Sequence, residues 1–167
     1  MPAQIEFLNP GVLNLLNRDL QAVGREFSKR GGLREPIIES VRDVLIPSIR
    51  QNFLEGGRPS WEPASAMTLA RAGHHGSTLM RSRKLYNAAT AYARWVVVEN
   101  TATYDLRSLP EKAWYGIVHQ DAEIAERSGM DHRPFAQFHP DDPPQIADIF
   151  LQWVEKKIEQ KMRRVYR

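Results

Sequence analysis

The chain has 167 residues, 42% of them hydrophobic and 26% charged, with a formal net charge of only +3. That length and apolar content suit one domain with a buried core. The absence of cysteine excludes disulfides and thiolate metal sites and fits a reducing compartment; no apolar run nears the roughly 20 residues of a membrane span, and residues 1–6 lack the basic-then-apolar layout of a signal peptide.

Residues 9–30 read as an amphipathic helix. Asn9 suits its cap and Pro10 its first turn. Val12, Leu16, Leu20, Val23 and Phe27 recur at helical spacing, with Leu13 beside them. Gly31-Gly32 ends it. The stripe serves either as a core face, its commoner use, or as a face toward a neighbouring subunit. A second helix runs from Glu35 to Leu54. Ile37, Val41, Leu45, Ile49 and Phe53 form a ladder of four-residue steps. Pro47 lies inside the ladder and forfeits the bond to the Asp43 carbonyl, which predicts a kink or a break into two helices.

Residues 50–63 are the stretch around which the rest is organised. Gly56 and Gly57 stop the helix, because glycine takes the left-handed conformation that closes a last turn. Pro59 and Pro63 fix φ and remove two backbone donors, so the chain runs extended. Trp61 stands between them with a large aromatic surface to bury. Two readings follow: a semi-rigid arm tipped by Trp61, or a surface loop whose tryptophan tucks into the chain's own core.

Ala64 to Ala72 suits a short helix capped by Ser65, followed by a loop at 73–76. From Pro63 to Val98 there is no acidic residue, while Arg71, Arg81, Arg83, Lys84 and Arg94 supply five cations. Such a stretch faces something negative or simply faces water. Residues 85–120 form the strand region. Tyr92 to Val98 is aromatic and β-branched, and Asn100 to Asp105 turns into a second strand; their closeness predicts antiparallel pairing. Trp114 to His119 reads equally as a strand or a helical turn. Residues 121–140 read as irregular, with Phe135 and Phe138 anchoring them to the core. The last helix starts at Asp141-Asp142-Pro143-Pro144. Ile146, Ile149, Phe150, Trp153, Val154 and Ile158 mark its apolar face, and its end is basic, which the helix dipole favours.

Signatures of catalysis are absent: no P-loop, dinucleotide fingerprint, nucleophile elbow or His-Glu-x-x-His. The five histidines have no recognised ligand spacing, although His119 with Asp121, or His132 with His139, would converge in a folded loop. Asp141-Asp142 and Asp121/Glu123 suit caps and turns better than acid–base work. The expectation is a non-enzyme with no cofactor and no metal. The fold expected is α+β: N-terminal helices, a small central antiparallel sheet and a long C-terminal helix. It divides into a helical extension at 1–34, a core at 35–155 and a basic tail at 156–167.

The layout resembles that of one family. The run Gln51-Asn52-Phe53-Leu54-Glu55-Gly56-Gly57-Arg58-Pro59-Ser60-Trp61-Glu62-Pro63 has a helix ending in phenylalanine, then Gly-Gly-x-Pro-x-Trp-x-Pro. Leu79 to Ala89, the run from Trp114 to His119-Gln120, and His132-Arg133-Pro134-Phe135 follow in order. Together they resemble the virion morphogenesis family, the tail completion proteins of Mu-like and P2-like phages, over about residues 37–155. Asp121-Ala122 and Ser82 depart from it, standing where Phe-Gly and a glycine are usual.

The resemblance implies a structural protein of the head–tail neck, made in the host cytoplasm and carried in the virion, with no membrane contact. Its partners would be further copies in a ring (six leading, twelve the other number), other neck, connector and tail proteins, and double-stranded DNA in the lumen. A ring needs two different faces of one subunit to meet. Gly56, Gly57, Arg58, Pro59, Trp61, Pro63, His119, Gln120, Arg133, Pro134 and Phe135 are the expected interface, with Trp61 as its hot spot. Arg71, Arg81, Arg83, Lys84 and Arg94 are the expected channel residues. The rival classes are a basic DNA-binding protein acting outside a virion and a histidine-based metal-dependent enzyme.

Overall fold

The computed structural model describes residues 18, 21–22, 24–25, 27–66, 70, 78–80, 83–91, 94–106, 109–110 and 113–165. Its elements are α1 (Arg34–Ser40), a π-helical turn (Val41–Leu45), α2 (Ile46–Glu55), α3 (Lys84–Ala89), β1 (Trp95–Val98), β2 (Thr101–Tyr104), α4 (Tyr115–Gln120), α5 (Ala122–Arg127) and α6 (Asp142–Val165). The architecture is α+β, with a two-stranded antiparallel sheet between helical ends.

Of the expected first helix, residues 18, 21–22, 24–25 and 27–28 are helical, Lys29 and Arg30 already belong to the bend and turn that follow it, and the others lie outside the described residues. Phe27 tilts against Trp153 of α6 at 5.3 Å, so at this position the stripe meets the chain's own core. Gly31 then takes φ 75°. The end of the segment is tied to the hairpin turn: Arg30 pairs with Glu99 at 2.6 Å, and the Leu33 amide donates to Asn100 Oδ1 at 2.9 Å.

The expected second helix divides ahead of Pro47, as the proline predicts: α1 ends at Ser40 and α2 starts at Ile46, with Pro47 in its first turn. Proline has no N–H, and its ring crowds the carbonyl four residues back. The conflict is met by the π turn, in which the Ile46 amide reaches back to the Val41 carbonyl. The ladder divides between two clusters. Val41, Leu45 and Ile46 pack with Trp95, Ala102 and Ile146; Ile49 and Phe53 pack with Trp61, Leu85, Leu109 and Phe135.

The strands pair in the expected antiparallel sense, Trp95 opposite Tyr104 and Val98 opposite Thr101. Trp95, Val97, Ala102 and Tyr104 turn inward, while Val96, Val98, Thr101 and Thr103 are exposed. The Tyr104 hydroxyl donates to the Ala89 carbonyl at 2.8 Å, and burial pushes its pKa up.

Three local expectations need correction. Residues 84–89 are helical, not the start of a strand region. Residues 122–127 form a helix inside the stretch read as irregular, capped by the Asp121 carboxylate, which accepts from the Ile124 amide at 3.0 Å. Phe135 is fully buried, but Phe138 is 65% exposed and does not enter the core. The Trp114–His119 ambiguity resolves as helix α4. Of the short helix expected at 64–72, Ala66 and Ala70 are helical, Ala64 and Ser65 are not, and the others lie outside the described residues, as does the loop at 73–76.

Candidate functional site

The Gly-Gly-Arg-Pro-Ser-Trp-Glu-Pro segment folds back onto the helix it leaves. Gly56 closes α2 in the left-handed conformation, and the Gly57 amide donates to the Asn52 carbonyl at 2.7 Å. The Trp61 amide then donates to the Gly56 carbonyl at 2.7 Å. Arg58–Pro59 is a cis peptide. The indole of Trp61 lies over Gly57 so closely that a Cβ there would sit 2.5 Å from its ring. Trp61 also meets Phe53 edge-on at 5.9 Å and donates from Nε1 to the Pro134 carbonyl at 3.2 Å. It is 9% exposed.

The other motif residues close around the same point. Gln120 accepts from the amides of Phe135 and Ala136 at 3.0 and 2.9 Å, as a neighbouring strand would. Arg133 is buried; it donates to the carbonyls of Glu62 and Pro63 and to the Asp131 carboxylate at 2.5 Å. The Arg133 amide donates to the His119 carbonyl at 2.8 Å, while His119 Nδ1 lies 3.0 Å from the Asp131 carbonyl. Burial pulls the His119 pKa down, opposed by the Asp131 carbonyl and assisted by the charge of Arg133. His132 meets the Gln120 carbonyl, and His139 meets Asp141. Neither His119 with Asp121 nor His132 with His139 forms a ligand set, and no group of three or more such ligands occurs among the described residues.

Beneath the segment lies a buried polar chain that sequence reasoning missed. Arg58 donates to Asn52 Oδ1, to the Ser48 carbonyl and to Ser48 Oγ. Ser48 Oγ donates to the Asp142 carboxylate at 2.7 Å, which also accepts the His139 amide. Asn52 in turn donates to the Phe135 carbonyl. The available signal was the pair Ser48 and Asn52, four apart and flanking the Ile49–Phe53 stripe, where apolar residues belong.

The expected interface is therefore corrected in its main residues. Trp61, Phe135, Arg133 and His119 are occupied within the chain because their partners lie within it; Gly57 is buried, and Gly56, Arg58, Gln120 and Pro134 are half-buried. The segment is not a free arm. Of the residues in and between its prolines, Pro59, Ser60, Glu62 and Pro63 remain exposed. Among the expected channel residues, Arg83 and Lys84 are exposed, Arg94 is half-buried, and Arg71 and Arg81 lie outside the described residues. Large apolar side chains exposed on the remaining surface include Leu54, Val96, Val98, Trp114, Phe138 and Leu151. No described helix is long and apolar enough to cross a membrane.

Comparison with family models, with curated proteins and with solved structures gives no match.

Proposed function

We propose that this protein is a structural subunit of the head–tail junction of a tailed phage, assembling as a ring around the DNA channel and joining head to tail. The observation that supports this reading is the convergence of the motifs. Three of the stretches that resemble the tail completion family are far apart in sequence, yet they are one another's partners: Trp61 with Pro134, Arg133 with Glu62 and Pro63, Gln120 with Phe135. Motifs that hold one another in place act as one structural unit, and that supports reading them together as the resemblance does.

With Trp61 turned inward, neighbour contacts fall to exposed positions. The outer face of the hairpin suits this role, since Val96, Val98, Thr101 and Thr103 are all β-branched and uncharged where a solvated face carries charge. The ridge at Pro59, Ser60, Glu62 and Pro63 offers a second, different face, as closure of a ring requires. The test is the mass of the assembled species by light scattering, with electron microscopy of virions. Six chains of 19.2 kDa give about 115 kDa and twelve about 230 kDa. A persistent monomer that is absent from virions overturns the proposal, and a monomer shifting DNA in a salt-dependent way would favour the free DNA-binding reading.

A further inference from the structure

A cleft of about 860 Å³ opens between α1, the loop at 29–32 and the C-terminal half of α6. Lys29, Arg30, Arg34, Arg42, Lys157 and Lys161 line it, against two carboxylates, Glu35 and Glu39. One of those carboxylates is already occupied. Glu35 accepts from Trp153 Nε1 and from Lys157 Nζ, both at 2.9 Å, with Lys156 at 3.7 Å; the bond from Lys157, then that from Trp153, holds its carboxyl below the usual range. Arg30 and Arg42 reach outward to Glu99 and Asp43. Among the described residues no carboxylate pairs with Arg34 or Lys161.

The helix dipole accounts for Lys157 and Lys161, near the C-terminus of α6. It does not account for Arg34, which stands in the first turn of α1, where a cation is disfavoured. Six lining cations face two lining carboxylates, so the cleft keeps an excess of positive charge in a concavity, where low-dielectric walls focus the field.

We infer that this cleft binds the phosphodiester backbone of DNA through charge alone. Guanidinium forks and ammonium groups match phosphate oxygens. A folded protein partner would be anchored by an apolar or aromatic insertion. The large aromatic of this cleft, Trp153, is 5% exposed and already packed against Phe27, so it leaves no such anchor point. The cleft is built by elements other than those carrying Arg83, Lys84 and Arg94. The inference stands on the charges of the cleft and not on the assembly reading, so ring mass and DNA binding fail or succeed separately.

The test is fluorescence anisotropy of the full-length protein on a mixed-sequence duplex of about 30 base pairs, titrated across salt. The double variant Arg34→Gln/Lys161→Gln removes two phosphate contacts, so the slope of log affinity against log salt should fall by about 2. Arg127→Gln on α5, outside the cleft, should leave the slope unchanged. Far-UV circular dichroism reads the fold, which exposed Arg34 and half-exposed Lys161 do not support. A slope in the double variant equal to that of the parent protein overturns the inference. So does displacement of the duplex by a poly-glutamate peptide at lower charge concentration than unlabelled duplex needs, which would assign the cleft to an acidic protein.

Discussion

Trp61→Ala separates a core residue from a docking residue. The side chain is 9% exposed, meets Phe53 edge-on and bonds the Pro134 carbonyl. Truncating a buried tryptophan costs about 3–5 kcal/mol, ring contacts included. The stranded Pro134 carbonyl adds about 1 kcal/mol. A total of about 4–6 kcal/mol removes much of the 5–15 kcal/mol that holds an ordinary domain together. With a urea slope of about 1–3 kcal/mol per molar, the midpoint should fall by about 1.3 M or more. Circular dichroism at 222 nm is the suitable probe, because deleting a tryptophan confounds fluorescence. Two protein concentrations separate loss of folding from loss of assembly. Trp61→Phe keeps most of the ring and loses the N–H, so it should cost about 1–2 kcal/mol. A Trp61→Ala midpoint within about 0.5 M of the parent, together with lost assembly, would refute the burial argument and restore the indole as a contact between subunits.

Three other outcomes follow from the same packing. Gly116→Ala should lower the melting temperature although alanine is the better helix former, because its Cβ would lie 2.5 Å from Leu85 Cδ1 and 3.0 Å from Leu109 Cδ1; overpacking costs about 1–3 kcal/mol against about 1 gained, and a raised melting temperature would contradict it. Gln120→Ala strands the amides of Phe135 and Ala136, at about 2–4 kcal/mol for the pair, and hydrogen exchange at both should accelerate relative to α6; unchanged exchange would show another acceptor there. Burial lowers the pKa of His119 in the fold. Its folded pKa lies below the unfolded value of about 6.5, so its contribution is complete above that pH and is lost as pH falls through the folded pKa. Urea midpoints should therefore drop on acidification below neutrality, and His119→Gln should flatten that part of the profile; a parallel drop in the variant assigns the effect to other groups.

Where periodicity was strong, the elements were legible. The ladder from Ile37 to Phe53, the paired strands and the long last helix all stand where residue spacing puts them. The short helices were harder to read for a physical reason. Lys84–Ala89 and Ala122–Arg127 are six residues each, too short for a 3.6-residue period to repeat, and only the capping carboxylate of Asp121 marked the second. Trp61 was legible as a residue that must bury its ring, but not as to where. A local sequence contains the indole and its prolines; it does not contain Pro134, which supplies the carbonyl 73 residues later. Buried Arg133 likewise looks like a surface cation until the carbonyls of Glu62 and Pro63 are seen to converge on it. Phe138 shows the converse, an aromatic side chain that the fold leaves in solvent.

The wide turn at Val41–Leu45 governs what lengths of this helix the fold accepts. A ladder climbing in fours overshoots a 3.6-residue winding by roughly 40° at each rung, and a turn holding one extra residue takes part of that drift back. Removing a residue within 41–45 would therefore be absorbed by narrowing the turn, leaving the rungs above and below facing their own clusters, although the Pro47 ring would then press on the carbonyl behind it. The same deletion between Ile49 and Asn52 has no slack to consume. It would swing Phe53 by about 100°, away from Trp61, Tyr86 and Phe135.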